Sequence, residues 1–117
     1  MHLEAYLIEL KEQSKPHFPS RGHFRFEGDE LYMRLGFSPT AGGLAITLAN
    51  VEVATKHRGE GRFSHYLSII ERFAQDEGIS VMIENVTNPF LPDVLSRRGY
   101  LPSTFKMHCF VKHSEQD

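Results

Sequence analysis

The order of elements along the chain predicts an α/β domain, a mixed sheet flanked by helices. Three observations carry this. Leu3, Leu7 and Leu10 recur at helical spacing. Leu31, Met33, Leu35 and Phe37 alternate with Tyr32, Arg34 and Gly36, the period of a half-buried strand. Between Leu44 and Val86 a strand, a helix and a second strand follow one another. Such a unit pairs its strands in parallel through a right-handed crossover. The 117 residues suit one domain, 1–117, since domains most often run to about 100–150 residues.

The first helix is expected over Met1 to about Lys15, with Pro16 and Pro19 ending it. His23 to Phe26 and Leu31 to Phe37 read as two strands around the turn Glu27-Gly28-Asp29-Glu30. After the turn Ser38–Gly43, Leu44 to Ala54 is the longest strand expected. From Gly61 to Glu77, Phe63, Leu67, Ile70 and Ala74 form an apolar row, widened by Tyr66, Ile69 and Phe73, and Gly78 suits the position past the helix end. Ile79 to Val86 reads as a strand and Asn88 to Arg98 as a short helix stopped by Gly99. Tyr100–Leu101 and Lys106–Lys112 read as closing strands.

Thirteen basic and fifteen acidic residues leave a net charge of −2, which argues against a general nucleic-acid surface. A single cysteine, Cys109, excludes an intrachain disulfide and a cysteine-based metal cluster. The seven histidines show no metal-ligand spacing with acidic partners, so no metal is expected. Glu4, Glu9, Lys11 and Glu12 interrupt the N-terminal segment, and no stretch approaches the roughly 20 apolar residues of a membrane span. A cytoplasmic protein is expected.

The segment that bears chemistry is Val51-Glu52-Val53-Ala54-Thr55-Lys56-His57-Arg58-Gly59-Glu60-Gly61-Arg62-Phe63. A strand runs into a basic, glycine-containing loop, and the loop opens a helix whose first amides have no internal acceptors. The helix dipole adds partial positive charge there. Gly59 and Gly61 carry no side chain to keep a ligand from the backbone, so the junction is a natural seat for phosphate or diphosphate. It lacks the Lys-Ser/Thr ending of a Walker loop and the three glycines of a dinucleotide fold. A turn that merely joins strand to helix would look similar.

Arg58-Gly59-Glu60-Gly61-Arg62-Phe63 resembles the signature of the GNAT superfamily of N-acetyltransferases: Arg or Gln, two residues, Gly, one residue, then Gly or Ala. Phe63 replaces the final small residue. Asn88-Pro89-Phe90-Leu91-Pro92-Asp93-Val94-Leu95-Ser96-Arg97-Arg98-Gly99-Tyr100 is similar to the family's second motif in its Asn, basic residue, Gly and aromatic end. The resemblance covers about Asp29 to Lys112, and the family's first strand is not evident.

The resemblance implies a GNAT-like fold and an N-acyltransferase that moves an acetyl group from acetyl-CoA to an amine. Backbone groups of Val51, Glu52 and Val53 would meet the pantetheine arm. Amides from Arg58 through Phe63, among them Gly59, Glu60, Gly61 and Arg62, would hold the diphosphate, and the Asn88 side chain would reach the cofactor or cap its own helix. Glu52 and Glu84 are the candidate general bases, each equally able to pair with a surface cation. Leu95 stands where the family commonly has a tyrosine that protonates the leaving thiolate. That departure keeps open a catalytically inactive binding or regulatory module acting on a protein partner. Tyr6, Phe18, Phe24, Phe26 and Tyr32 are expected around the acceptor, which is a small molecule or a protein amine. Oligomeric state is open, a homodimer included.

His57 and His65 border the loop and read as solvated. Tyr100 and Cys109 read as packed, and Arg97 and Arg98 as surface charges at a helix end.

Overall fold

The structure, a computed structural model, describes residues 2–14 and 18–114. Met1, Lys15 and Pro16, at the expected ends of the first helix, lie outside them. The elements run α1 (Leu3–Gln13), β1 (Ser20–Phe26), β2 (Asp29–Ser38), β3 (Gly43–Glu52), α2 (Arg62–Glu77), β4 (Ser80–Ile83), α3 (Leu91–Arg97), β5 (Leu101–Pro102) and β6 (Phe110–Lys112). A single turn of 3-10 helix, Thr55–His57, precedes α2.

The strands form one six-stranded mixed sheet in the order β1-β2-β3-β4-β6-β5. β3 and β4 pair in parallel across α2, as the strand–helix–strand reading requires; the other neighbours are antiparallel. Glu27 and Gly28 both have positive φ, 50° and 88°, so β1 and β2 join through a two-residue turn of the type that matches strand twist.

Leu3, Leu7 and Leu10 of α1, Tyr66, Leu67, Ile70 and Phe73 of α2 and Leu95 of α3 share one core with Leu31, Met33, Leu35, Ile46, Leu48, Val81 and Ile83 of the sheet. All three helices therefore pack on the same face. The opposite face carries only a small cluster, Ala41, Ala45, Met82, Cys109 and Val111. The rest of that face is polar, and the alternation of β1 to β3 puts Arg21, His23, Tyr32, Arg34, Asn50 and Glu52 on it. Phe37 and Leu44 lie beyond the reach of the helices and are exposed.

Two strands are shorter than expected. β4 stops at Ile83 because Glu84 turns to two cations and Asn85 takes a positive φ of 59°. β6 begins at Phe110 because the preceding residues form a turn in which Ser103 Oγ accepts from the amides of Phe105 and Lys106. His108 there has φ 56° and its carbonyl accepts from the Val86 amide. α3 starts at Leu91 rather than Asn88, after an Asn88 turn and with Pro92 in its first turn.

Candidate functional site

β3 and β4 part company where their ladder ends. The last contacts are the Glu84 amide donating to the Leu48 carbonyl at 3.0 Å and the Asn85 side-chain amide donating to the Ala49 carbonyl at 2.8 Å. Ala49 is the extra residue of a β-bulge, since Leu48 pairs with Met33 and Asn50 with Tyr32. Beyond it Val51 and Glu52 pair with Leu31 and Glu30 of β2 on one side and have no strand on the other. Val51 and Glu52 thus lie along an open strand edge, and Val53 follows directly after it.

This edge leads into the loop. Val53, His57, Arg58, Gly59, Gly61, Arg62, Phe63 and Ser64 line a cleft of about 220 Å³. Gly59 and Gly61 have φ of 83° and 74°, a region that any side chain makes costly. The Arg58 amide donates to Thr55, the Glu60 amide to His57 and the His65 amide to Gly61. The amides of Gly59, Gly61, Arg62, Phe63 and Ser64 have no acceptor among the described residues. Five backbone donors at the positive end of a 16-residue helix make a strong anion seat. Phe63 packs its ring against the core, so its bulk leaves its amide accessible. Arg58 donates Nε to the Val53 carbonyl at 3.4 Å and is otherwise exposed.

The loop is held by Asp29 and Tyr66, which the sequence analysis does not name for it, together with Arg62, His57 and Glu60. Asp29, fully buried at the start of β2, accepts from the Ala54 amide at 2.7 Å and from the Tyr66 hydroxyl of α2 at 2.5 Å. The Arg62 guanidinium is taken up by the β1–β2 turn: Nη1 lies 3.5 Å from Asp29, Nη2 2.7 Å from Glu27, and its centre sits 5.5 Å from the Phe26 ring centre. His57 Nδ1 accepts from Arg62 at 3.0 Å, which leaves Nε2–H to donate to the Glu27 carbonyl at 3.2 Å. Glu60 closes the group beside His57 and Arg62. Burial works to raise the Asp29 carboxyl, but the Tyr66 hydroxyl, the Ala54 amide and Arg62 together hold it below the usual carboxylate range. Burial and then the Asp29 charge push the Tyr66 phenol up to about 12. An acidic residue directly after Glu27-Gly28, in step with the apolar Leu31, Met33 and Leu35, was the signal available in the sequence.

The two candidate bases differ. Glu84 is buried at the point where β3 and β4 separate, and its Oε2 meets Arg34 at 2.8 Å and Lys106 at 2.5 Å. Burial would raise its carboxyl; the two cations outweigh this and hold it below its ordinary value. Glu52 is exposed at the end of β3, directly across from Glu30. Both lie on the polar face. Asn88 is exposed and does not line the cleft; its Oδ1 accepts from the Phe90 amide at 2.9 Å in a turn ahead of α3, and since Phe90 is the N-cap, Asn88 does not cap the helix as expected. The expected acceptor aromatics do not converge. Tyr6 and Phe24 pack against each other at 5.5 Å on the helix face, Phe26 joins them there, Tyr32 stacks on His23 at 4.6 Å on the other face, and Phe18 is exposed.

Leu95, Tyr100 and Cys109 are buried, and burial pushes the Tyr100 and Cys109 groups up. Arg98 grips Glu71 with Nε and Nη2 at 3.2 and 2.8 Å, tying α3 to α2; Arg97 is exposed. Among the described residues no group of three or more His, Cys, Asp or Glu is placed to hold a metal ion. No helix among them is long and apolar enough to cross a membrane.

No protein-family model matches the chain, and no curated protein resembles it in sequence. Among solved structures it is similar to a protein from Agrobacterium tumefaciens provisionally named an acetyltransferase, with a TM-score of 0.51 and 16% identity over 93% of this chain and 82% of that one. At that identity the likeness is one of fold: a mixed α/β sheet flanked by helices.

Proposed function

We propose that the protein is an N-acyltransferase of the GNAT type that uses acetyl-CoA and acts on an amine in the cytoplasm. The single observation that carries this is the cleft at Gly59–Ser64, where five amides lack internal acceptors at a helix start beside an open strand edge. The residues present fit the diphosphate of CoA: among the described residues five unpartnered amide donors lie in one short stretch, both glycines hold the bend, and the Arg58 guanidinium, bonded only through Nε, keeps its Nη donors to add charge. Val51 to Val53 would meet the pantetheine arm as an added strand would.

Acetyl-CoA, when bound, supplies a thioester whose carbonyl carbon an amine can attack. The chain's own contribution starts at Glu84, at the separation of β3 and β4. Both cations sit on Oε2, and Oε1 has no partner among the described residues. Oε1 is therefore placed to accept a hydrogen bond from an ammonium group and orient it. The same two cations make Glu84 a weak base, so it would pass the proton on to water rather than keep it. Glu52, exposed and free of cations, is the alternative base. Leu95 offers no hydroxyl, so the departing thiolate would be protonated by solvent.

The test is calorimetric titration with acetyl-CoA, followed by thiol release over a panel of amines. Micromolar binding and release with at least one amine support the reading; a folded protein that does not bind at high micromolar acetyl-CoA overturns it. Leu95, fully buried where an acid would stand, favours a second reading, a binding module without turnover. Tight binding with no thiol release from any amine would select it.

A further inference from the structure

The polar sheet face holds a second cleft, of about 240 Å³, with Arg34, Ser38, Thr47, Met82, Glu84 and Lys106 among its walls. It is smaller than the roughly 300–1,000 Å³ of clefts for drug-sized ligands, so it suits a small molecule.

Its charge is unbalanced. Arg34 and Lys106 share one carboxylate oxygen, Glu84 Oε2, although a guanidinium has five donors and an ammonium three. Arg34 also stands directly across the β1–β2 ladder from Arg21, which is exposed and has no partner among the described residues. Like charges facing each other across strands destabilise a sheet. The next acid on this face, Glu30, is engaged by His23 at 2.6 Å and Arg25 at 3.3 Å and cannot relieve them. Arg34 and Lys106 therefore share one carboxylate at the cleft, with Arg21 beside Arg34 on the same face. Glu84 borders the cleft, and with both cations on Oε2 its Oε1 takes no hydrogen bond from the described residues.

We infer that this cleft takes a small amine that also carries an anionic group, carboxylate or phosphate. The ammonium donates to Glu84 Oε1, and the anion is held by Arg34 and Lys106 with Arg21 at the rim. A neutral or purely cationic amine would leave the surplus cations unmatched. The amine rests on the transferase reading proposed above; the anion rests on this face alone.

The experiment titrates the wild-type protein, without acetyl-CoA, with two matched pairs: β-alanine against β-alaninamide, and phosphoethanolamine against ethanolamine. Amide chemical shifts locate the site. The anionic member of at least one pair should bind roughly tenfold more tightly than its neutral-tailed partner and shift Arg34, Thr47, Glu84 and Lys106. Preference for β-alanine identifies a carboxylate, preference for phosphoethanolamine a phosphate. Arg34→Gln should remove about tenfold of that preference. Arg21→Gln, at an exposed position that no fold contact uses, should reduce it in the same direction. Equal binding within both pairs, shifts confined to other residues, or an unchanged preference in Arg21→Gln with Arg34→Gln also unchanged would overturn the inference. Acetyl-CoA affinity is read separately at the Gly59–Ser64 amides. Its absence alongside an intact anion preference would fell the transferase reading and leave the anion site standing.

Discussion

Asp29 shows how much of the loop depends on one side chain. It is buried, charged and satisfied by the Ala54 backbone amide and by a phenol and a guanidinium that both come from α2. Removing one member of such a buried group leaves the others unpaired, which costs about 3–5 kcal/mol. Asp29→Ala should therefore lower the urea midpoint steeply with little change in m, and Tyr66→Phe should cost about 1.5–3 kcal/mol, the worth of a hydrogen bond to a charged acceptor. The same pair gives two pH signatures. The Tyr66 phenol is raised in the fold, so its contribution is complete below about 10, the unfolded phenol value, and is lost as pH climbs towards about 12. Tyr66→Phe should flatten that alkaline loss. The Asp29 carboxyl is lowered, so its contribution is present above about 3.9 and disappears as pH falls through its folded value. Neither residue was legible as a hub in the sequence. Tyr66 was visible only as part of an apolar row, and Asp29 only as a turn residue, because the contacts that define them span 37 positions of chain.

The helix start and the strand separation show the opposite case, where much could be read in advance. Arg58-Gly59-Glu60-Gly61 placed the bend correctly, and both glycines do hold left-handed backbone. The amphipathic row of α2 and its stop at Gly78, with φ 68°, were equally plain, because local periodicity and a cap residue decide them. The bend is demanding. A Cβ built on Gly61 meets no atom within 4 Å, so Gly61→Ala acts through backbone strain rather than collision. It should cost about 1 kcal/mol in denaturant unfolding and weaken acetyl-CoA binding by more than that loss, since the bend that presents the amides is disturbed. Unchanged affinity would show that the loop does not hold the ligand. The end of β4 was not readable. Ile79 to Val86 has strand character throughout, and only the long-range claims of Arg34 and Lys106 on Glu84 and of Ala49 on Asn85 stop it at Ile83.

Seen whole, the molecule has one face sealed by helices and one left polar, and the two candidate clefts divide between the loop edge and the polar face. The sequence pattern specified the sealed face well, because apolar residues at periods 2 and 3.6 mark it. It said little about the polar face, where function depends on which charges meet. The paired aromatic expectation failed for this reason: Tyr6 and Tyr32 fall on opposite sides of the sheet. Glu84, lowered like Asp29, adds to acid sensitivity in the same sense: its contribution is present above about 4.3 and is lost as pH falls, so stability should drop on acidification below pH 4 in a urea series. The anion seat carries the account, and amide chemical shifts during an acetyl-CoA titration test it most directly. Gly59, Gly61, Arg62, Phe63 and Ser64 should move first and together, with Val51 to Val53 following. Shifts confined to other parts of the chain, or none at saturating ligand, would contradict it.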